Sequence, residues 1–212
     1  MPGRLLREFI RRIINEDVTS DSHGHPSKLR IFDLDDTLVH TDGVTHVRNP
    51  LRGNFDLSPS EYAVYVPQQG DEFDFRDFKT LVNPKTIKLT TQIFMNVYKK
   101  WGAQGLVILT ARGPDAAPSI KSFLDELGAT GVEIITVNTG DPKAKSAWIE
   151  DRIRTTHPRV VEFFDDSNKN VGAVAELQSK FDPEEVKIIS RQVVRHAAGV
   201  TTRSWRPDSA RH

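Results

Sequence analysis

Two hydrophobic periods alternate along this chain. Short apolar runs of strand length recur at 29–32, 106–109, 132–137, 160–164 and 186–189, rich in Val, Ile, Leu and Phe. Longer stretches with apolar residues every three to four positions lie between them. Asn83-Pro84 predicts a helix start with proline at the first position, and Ile87, Thr91, Ile93, Phe94, Val97 and Trp101 supply its apolar side before Gly102 ends it. Further helices are expected over 118–127, closed by Gly128, over 141–153 and over 171–181. Strands alternating with helices imply right-handed crossovers and a parallel sheet covered on both faces. The expected fold class is therefore α/β, a Rossmann-like three-layer sandwich with a mainly parallel central sheet.

The flanks and one long connection break this rhythm. Residues 1–15 read as an amphipathic helix, with Leu6, Phe9, Ile10 and Ile13 on one side, followed by a polar loop to about 28. The connection 42–83 is loosely patterned and cut by Gly43, Pro50, Pro59, Pro67 and Gly70. Tyr62 to Val66 predicts a short strand there. Phe73, Phe75 and Phe78 mix with acids, and such rings either stack a base or pack on one another in a small hairpin. A connection of this length inside a compact domain usually carries function, such as a lid. The end, 191–212, holds Arg191, Arg195, Arg203, Arg206 and Arg211 against Asp208 and reads as a basic, solvated tail. The expected organisation is an N-terminal helix and loop at 1–28, a catalytic domain at 29–190 with a cap-like insertion at 42–83, and the tail.

Composition narrows the function classes. The 212 residues suffice for one sizeable domain. Lys and Arg number 29 and so do Asp and Glu, so no net field draws the chain to nucleic acid. The absence of cysteine excludes disulfides, thiolate zinc sites and a cysteine nucleophile, and suits a cytoplasmic setting. No apolar run reaches the ~20 residues of a membrane span, and no secretory leader is expected.

The chemistry gathers where apolar runs stop. The run at 29–32 ends in Asp33-Leu34-Asp35-Asp36-Thr37, that at 106–109 in Thr110-Ala111-Arg112, and that at 160–164 in Asp165-Asp166. Ligand sites in open α/β sheets lie beyond the carboxyl ends of strands. Two carboxylates about 4 Å apart repel by roughly 4 kcal/mol at an effective dielectric near 20, so clustered acids point to a cation or an acid/base task. The same residues can instead cap helices, but three such endings in one chain favour a site.

These motifs, in this order and with a downstream lysine, resemble those of the haloacid dehalogenase-like (HAD) phosphohydrolase superfamily over about 29–189. The resemblance implies a phosphatase. Asp33 is the expected nucleophile, forming an aspartyl-phosphate, and Asp35 the general acid and then base. Thr110 would bind a phosphoryl oxygen. A lysine would neutralise developing charge, Lys145 rather than Lys143, because Asp141 precedes Lys145 by one helical turn. Mg2+ is the expected cofactor, held by Asp33, the Asp35 backbone carbonyl and Asp166, with Asp165 a ligand or its support and Asn170 behind them. Thr37, Arg112 and Arg48 are candidate substrate-binding residues. Arg112 either binds the phosphate or braces the site, and Arg48 is otherwise solvated. More weakly, Asn-Pro, helix, strand, Thr-Ala-Arg, Asp-x-x-x-Lys and Phe-Asp-Asp-Ser are similar to the 3'-phosphatase domain of phage-type polynucleotide kinase-phosphatases. The kinase P-loop is missing, which leaves a stand-alone phosphatase for nucleic-acid ends or nucleotides. A small-metabolite phosphatase and a non-catalytic HAD-like binding module are the alternatives.

Overall fold

A computed structural model describes residues 27–62, 64–196 and 199–205. The helix expected over 1–15 and the last residues of the chain lie outside the described residues. In chain order the elements are β1 (Lys28–Phe32), β2 (Val39–His40), β3 (Thr45–Arg48), β4 (Phe55–Leu57), α1 (Pro59–Tyr62), β5 (Glu72–Asp74), β6 (Lys85–Thr86) and α2 (Lys88–Trp101). Then follow β7 (Leu106–Thr110), α3 (Ala117–Glu126), β8 (Glu133–Thr136), α4 (Pro142–Thr156), β9 (Val160–Asp165), α5 (Asn168–Glu176), β10 (Lys187–His196) and β11 (Gly199–Ser204).

Six strands form the central sheet in the order β11-β10-β9-β1-β7-β8. All pairings are parallel except that of β10 with β11. Alternating side chains divide between two apolar clusters. Leu29, Ile31, Val107, Leu109 and Phe163 join Ile149 and Ile153 of α4 and Val171 and Val174 of α5. Phe32, Leu106, Ile108 and Phe164 join Ile93, Phe94 and Val97 of α2 and Ile120 and Leu124 of α3. In the second cluster Phe32 stacks on Phe164 at 4.4 Å between ring centroids, and Phe94 meets Phe32 edge-on. The register pairs Phe32 with both Ile108 and Phe164. The residues after Phe32 and Phe164 are Asp33 and Asp165, so both acids leave the sheet side by side. Two acid-bearing strands and the Thr-Ala-Arg strand are thus central neighbours.

Residues 42–83 form the insertion. A three-stranded antiparallel sheet, β4-β3-β5, makes its body, and the β2–β6 ladder stands at its base. The described residues of the stretch expected as a strand at 62–66 are not a strand. Ser58 and Glu61 cap each other instead, with Glu61 Oε2 accepting from the Ser58 backbone N–H at 2.8 Å, and Pro59 opens the one-turn helix α1. The helix expected from Pro84 begins later, at Lys88. Residues 85–86 pair with β2 and the Ile87 N–H donates to the Leu38 carbonyl, so tertiary pairing takes the backbone that the helix would have used.

The described residues after 190 also form strands. Backbone pairing from Arg191–Ser204 to His196–Gly199 adds an antiparallel strand to the sheet. Arg191 Nη2 lies 3.2 Å from Glu162 Oε1 and Arg195 Nη2 2.5 Å from Asp36 Oδ1. Among the described residues no helix is long and apolar enough to cross a membrane.

Phe164→Ala removes one face of the ring stack between β1 and β9. It is expected to cost about 3–5 kcal/mol in urea unfolding, at the upper end of large-to-small core changes.

Candidate functional site

Strand register delivers two acids, and a helix delivers the cation between them. Asp141 caps α4 by accepting from the Lys143 N–H at 3.0 Å, and Pro142 follows at the first turn. This start places Lys145 on the same stripe as Ile149 and Ile153, all three buried. Its ammonium is carried to the strand ends, 2.6 Å from Asp33 Oδ1 and 2.8 Å from Asp165 Oδ2. Lys143 is exposed. Lys145 is therefore the lysine of the site, but Asp141 serves as a cap and not as its partner.

Asp165 is fully buried and held on both oxygens. Oδ1 accepts from the Ser167 N–H at 2.8 Å, and the Asn170 amide donates to both oxygens. Asp33, Asp165 and Asp166 each offer an oxygen within 4.8 Å of the others. Three carboxylates against one ammonium leave two formal negative charges. Burial pushes Asp33 up, Lys145 pulls it down, and Asp165, Asp166 and Asp35 add to the rise. Asp166 is pushed up to about 7 by burial and by Asp165 and Asp36. Burial alone would lower the Lys145 ammonium, but Asp33 and Asp165 outweigh it and keep it charged. A divalent cation would cancel the excess, and an all-oxygen donor set suits a hard ion such as Mg2+.

Asp35 lies outside this group of three. Its carboxylate receives a two-pronged contact from Arg112, Nε to Oδ2 and Nη2 to Oδ1, both at 2.8 Å. Arg112 Nη2 also donates to Thr41 Oγ1, and Nη1 donates to the carbonyls of Phe78 and Thr80. Those contacts use all five N–H donors of the guanidinium. Arg112 has none left for a substrate phosphate, so it braces Asp35 and ties it to the insertion.

The other expected residues fall in different places. Thr110 is buried at the end of β7, where its Oγ1 accepts from the Arg112 N–H at 3.2 Å. Thr37 is fully buried and, like Thr110, outside the cleft lining, its carbonyl taking the Thr90 hydroxyl. Arg48 is exposed on β3 opposite Glu72 and also outside the cleft lining. Asp36 is a left-handed turn residue, with φ of 55°, bonded to His40 and Arg195.

A cleft of about 740 Å³ joins the acids to the insertion. Asp33, Asp35, Lys145 and Asp166 lie in its lining with Tyr62, Phe75 and Phe78. Sequence reading missed Thr45, Asn138 and Thr139 there; only the positive φ of Asn138, 54°, marks its loop as special, and that is visible in the fold alone.

The insertion has its own charged clasp. His46 Nδ1 lies 2.7 Å from Asp56 Oδ1, and Nε2 lies 3.2 Å from Asp77 Oδ1. Hydrogen bonds to Asp56 and then to Asp77 raise its pKa above the ordinary 6.5. A raised folded-state pKa stabilises fully below 6.5, and that contribution is lost as pH rises through the folded value. The His46 ring protons should titrate above 6.5 by NMR, and Asp77→Asn should move the midpoint down. Amide exchange in 45–77 should quicken on the alkaline side of that midpoint beyond its intrinsic pH dependence.

No family model, curated protein or solved structure matches this chain.

Proposed function

We propose that this protein is a Mg2+-dependent phosphomonoester hydrolase that works through an aspartyl-phosphate on Asp33. The observation that carries the reading is the buried Lys145–Asp33 contact of 2.6 Å inside an acid cluster two charges short of neutrality. A second acid stands two residues along, gripped by Arg112. The finer architecture, a Rossmann-like three-layer HAD core with a cap, belongs to the same proposal and is supported by the sheet order and the two apolar clusters.

Each residue then has a task. Lys145 engages Asp33 Oδ1, which leaves Oδ2 to attack phosphorus. The ester P–O bond breaks as Asp35 gives its proton to the leaving oxygen. Asp35 next takes a proton from water, the water oxygen attacks phosphorus, and the bond to Asp33 breaks to release phosphate. Arg112 keeps the Asp35 carboxyl in one orientation through both steps. Lys145 offsets charge on the phosphoryl oxygens. Asp33 and Asp166, with Asp165 locked behind them by Asn170, would hold Mg2+, whose chemistry is to neutralise the acids and draw the phosphoryl group close. The resemblance in motif order adds nucleotides and nucleic-acid 3'-phosphate ends as candidate substrates.

Wild-type protein should release phosphate from an aryl phosphate with Mg2+ and stop when the metal is chelated. Asp33→Asn should lose at least ~10⁴-fold in kcat, the scale on which a nucleophile is removed. No Mg2+-dependent release from any monoester would end the proposal. Arg112→Lys keeps the charge and loses the two-pronged grip. It should lower kcat by about 10²-fold, the cost of a misplaced catalytic group, with KM little changed.

A further inference from the structure

Two large rings of the insertion stay open to solvent where burial would be favourable. Tyr62 is 39% and Phe75 43% exposed, and both line the cleft that holds Asp33. They are not loose. Tyr62 meets Phe75 edge-on at 5.4 Å and Phe73 at 5.6 Å, and Phe75 lies 6.3 Å from Phe78. Phe78 in turn lies under the Arg112 guanidinium at 5.4 Å. The wall is therefore fixed to the residue that grips Asp35. Beside it, Thr45 is buried, and its hydroxyl has no hydrogen-bond partner among the described residues. A buried hydroxyl without a partner costs free energy that a ligand's polar group would recover.

Charge narrows the ligand further. Among the described residues the cleft lining holds two cations, Lys145 and Arg112. Lys145 is paired with Asp33 and Asp165, and Arg112 has no donor left. The remaining charges of the lining are acids, Asp36 among them. A nucleic-acid strand brings a row of phosphates that calls for Lys or Arg along its path. A leaving group that is flat, uncharged and edged with polar atoms fits this cleft better.

We propose that the aromatic wall of the insertion selects a nucleoside as the leaving group, so that the substrate is a nucleoside monophosphate and not a nucleic-acid end. The base packs against Tyr62 and Phe75, a polar group of the nucleoside meets Thr45, and the phosphate lies at Asp33. Hydrolysis consumes one water, breaks the ester P–O bond, and releases nucleoside and inorganic phosphate. This inference rests on the phosphatase reading and narrows its substrate.

The experiment compares kcat/KM of the full chain for adenosine monophosphate, glycerol phosphate and a 3'-phosphorylated oligonucleotide. Beside it, calorimetry measures the binding of adenosine, which needs no turnover. The nucleotide should exceed glycerol phosphate by about 10- to 100-fold, the range that stacking one base supplies. Most of that ratio should vanish in the Tyr62→Ala/Phe75→Ala double variant, through KM more than kcat, and adenosine binding should weaken with it. A ratio near one, no saturable adenosine binding, or a preference for the oligonucleotide would overturn the inference while leaving the phosphatase intact. If no ester is hydrolysed, the phosphatase reading fails by itself. Adenosine binding lost on removal of the two rings then still supports the wall, and absent binding overturns it.

Discussion

Two buried carboxylates, a half-buried third and one ammonium set the terms for the rest of this structure. Each acid repels the others, and burial raises the cost of keeping them ionised. Lys145 offsets part of this by touching Asp33 and Asp165 together. To do so it joins two adjacent strands to the first turn of α4. The Asp141 cap, Pro142 and the stripe of Ile149 and Ile153 fix where that turn begins and which way it faces. The apolar core therefore holds the charges in place, and the residual formal negative charge is what a bound cation would cancel.

Arg112 extends the same logic towards the insertion. Its guanidinium reaches Asp35 on the turn after β1, Thr41 beyond it, and two carbonyls at 78 and 80. Placement of Asp35 and placement of the cleft's aromatic side are thus one event. A shift of residues 78–80 would disturb the donors that orient Asp35. The His46 clasp supports the same region from the other end, because Asp77 accepts from His46 and from the Val44 N–H and stands next to Phe78 in sequence. Contacts at 77–80 thus join His46 to the guanidinium that holds Asp35.

Regions where sequence reading failed share a physical cause. Tyr62 to Val66 has strand-like composition, yet the Ser58–Glu61 cap and Pro59 win locally and close a helical turn. Pro84 has a good helix-start signature, yet the β2 edge captures the backbone first. The arginines after 190 suggest a solvated tail, yet alternate residues still supply a strand, with Val193 buried and Arg191 and Arg195 paired with Glu162 and Asp36. Composition reports average solvation. It does not report which backbone edge is available for pairing.

The sequence by itself determined the alternation of helices and strands between 88 and 189, the mainly parallel character of the central sheet and the strand ends at which acids, threonine and arginine appear. These are local properties, set by hydrophobic period and by the residues that stop each run. Only the tertiary structure decided which of those residues meet. Lys145 and Asp33 are 112 positions apart, and Arg112 and Asp35 are 77 apart, so their contacts depend on sheet register and helix phase together. The same register spends every donor of Arg112, buries Thr37 and leaves Arg48 outside the cleft. A side chain's direction is settled by what packs around it, and that is written in no single stretch of the chain.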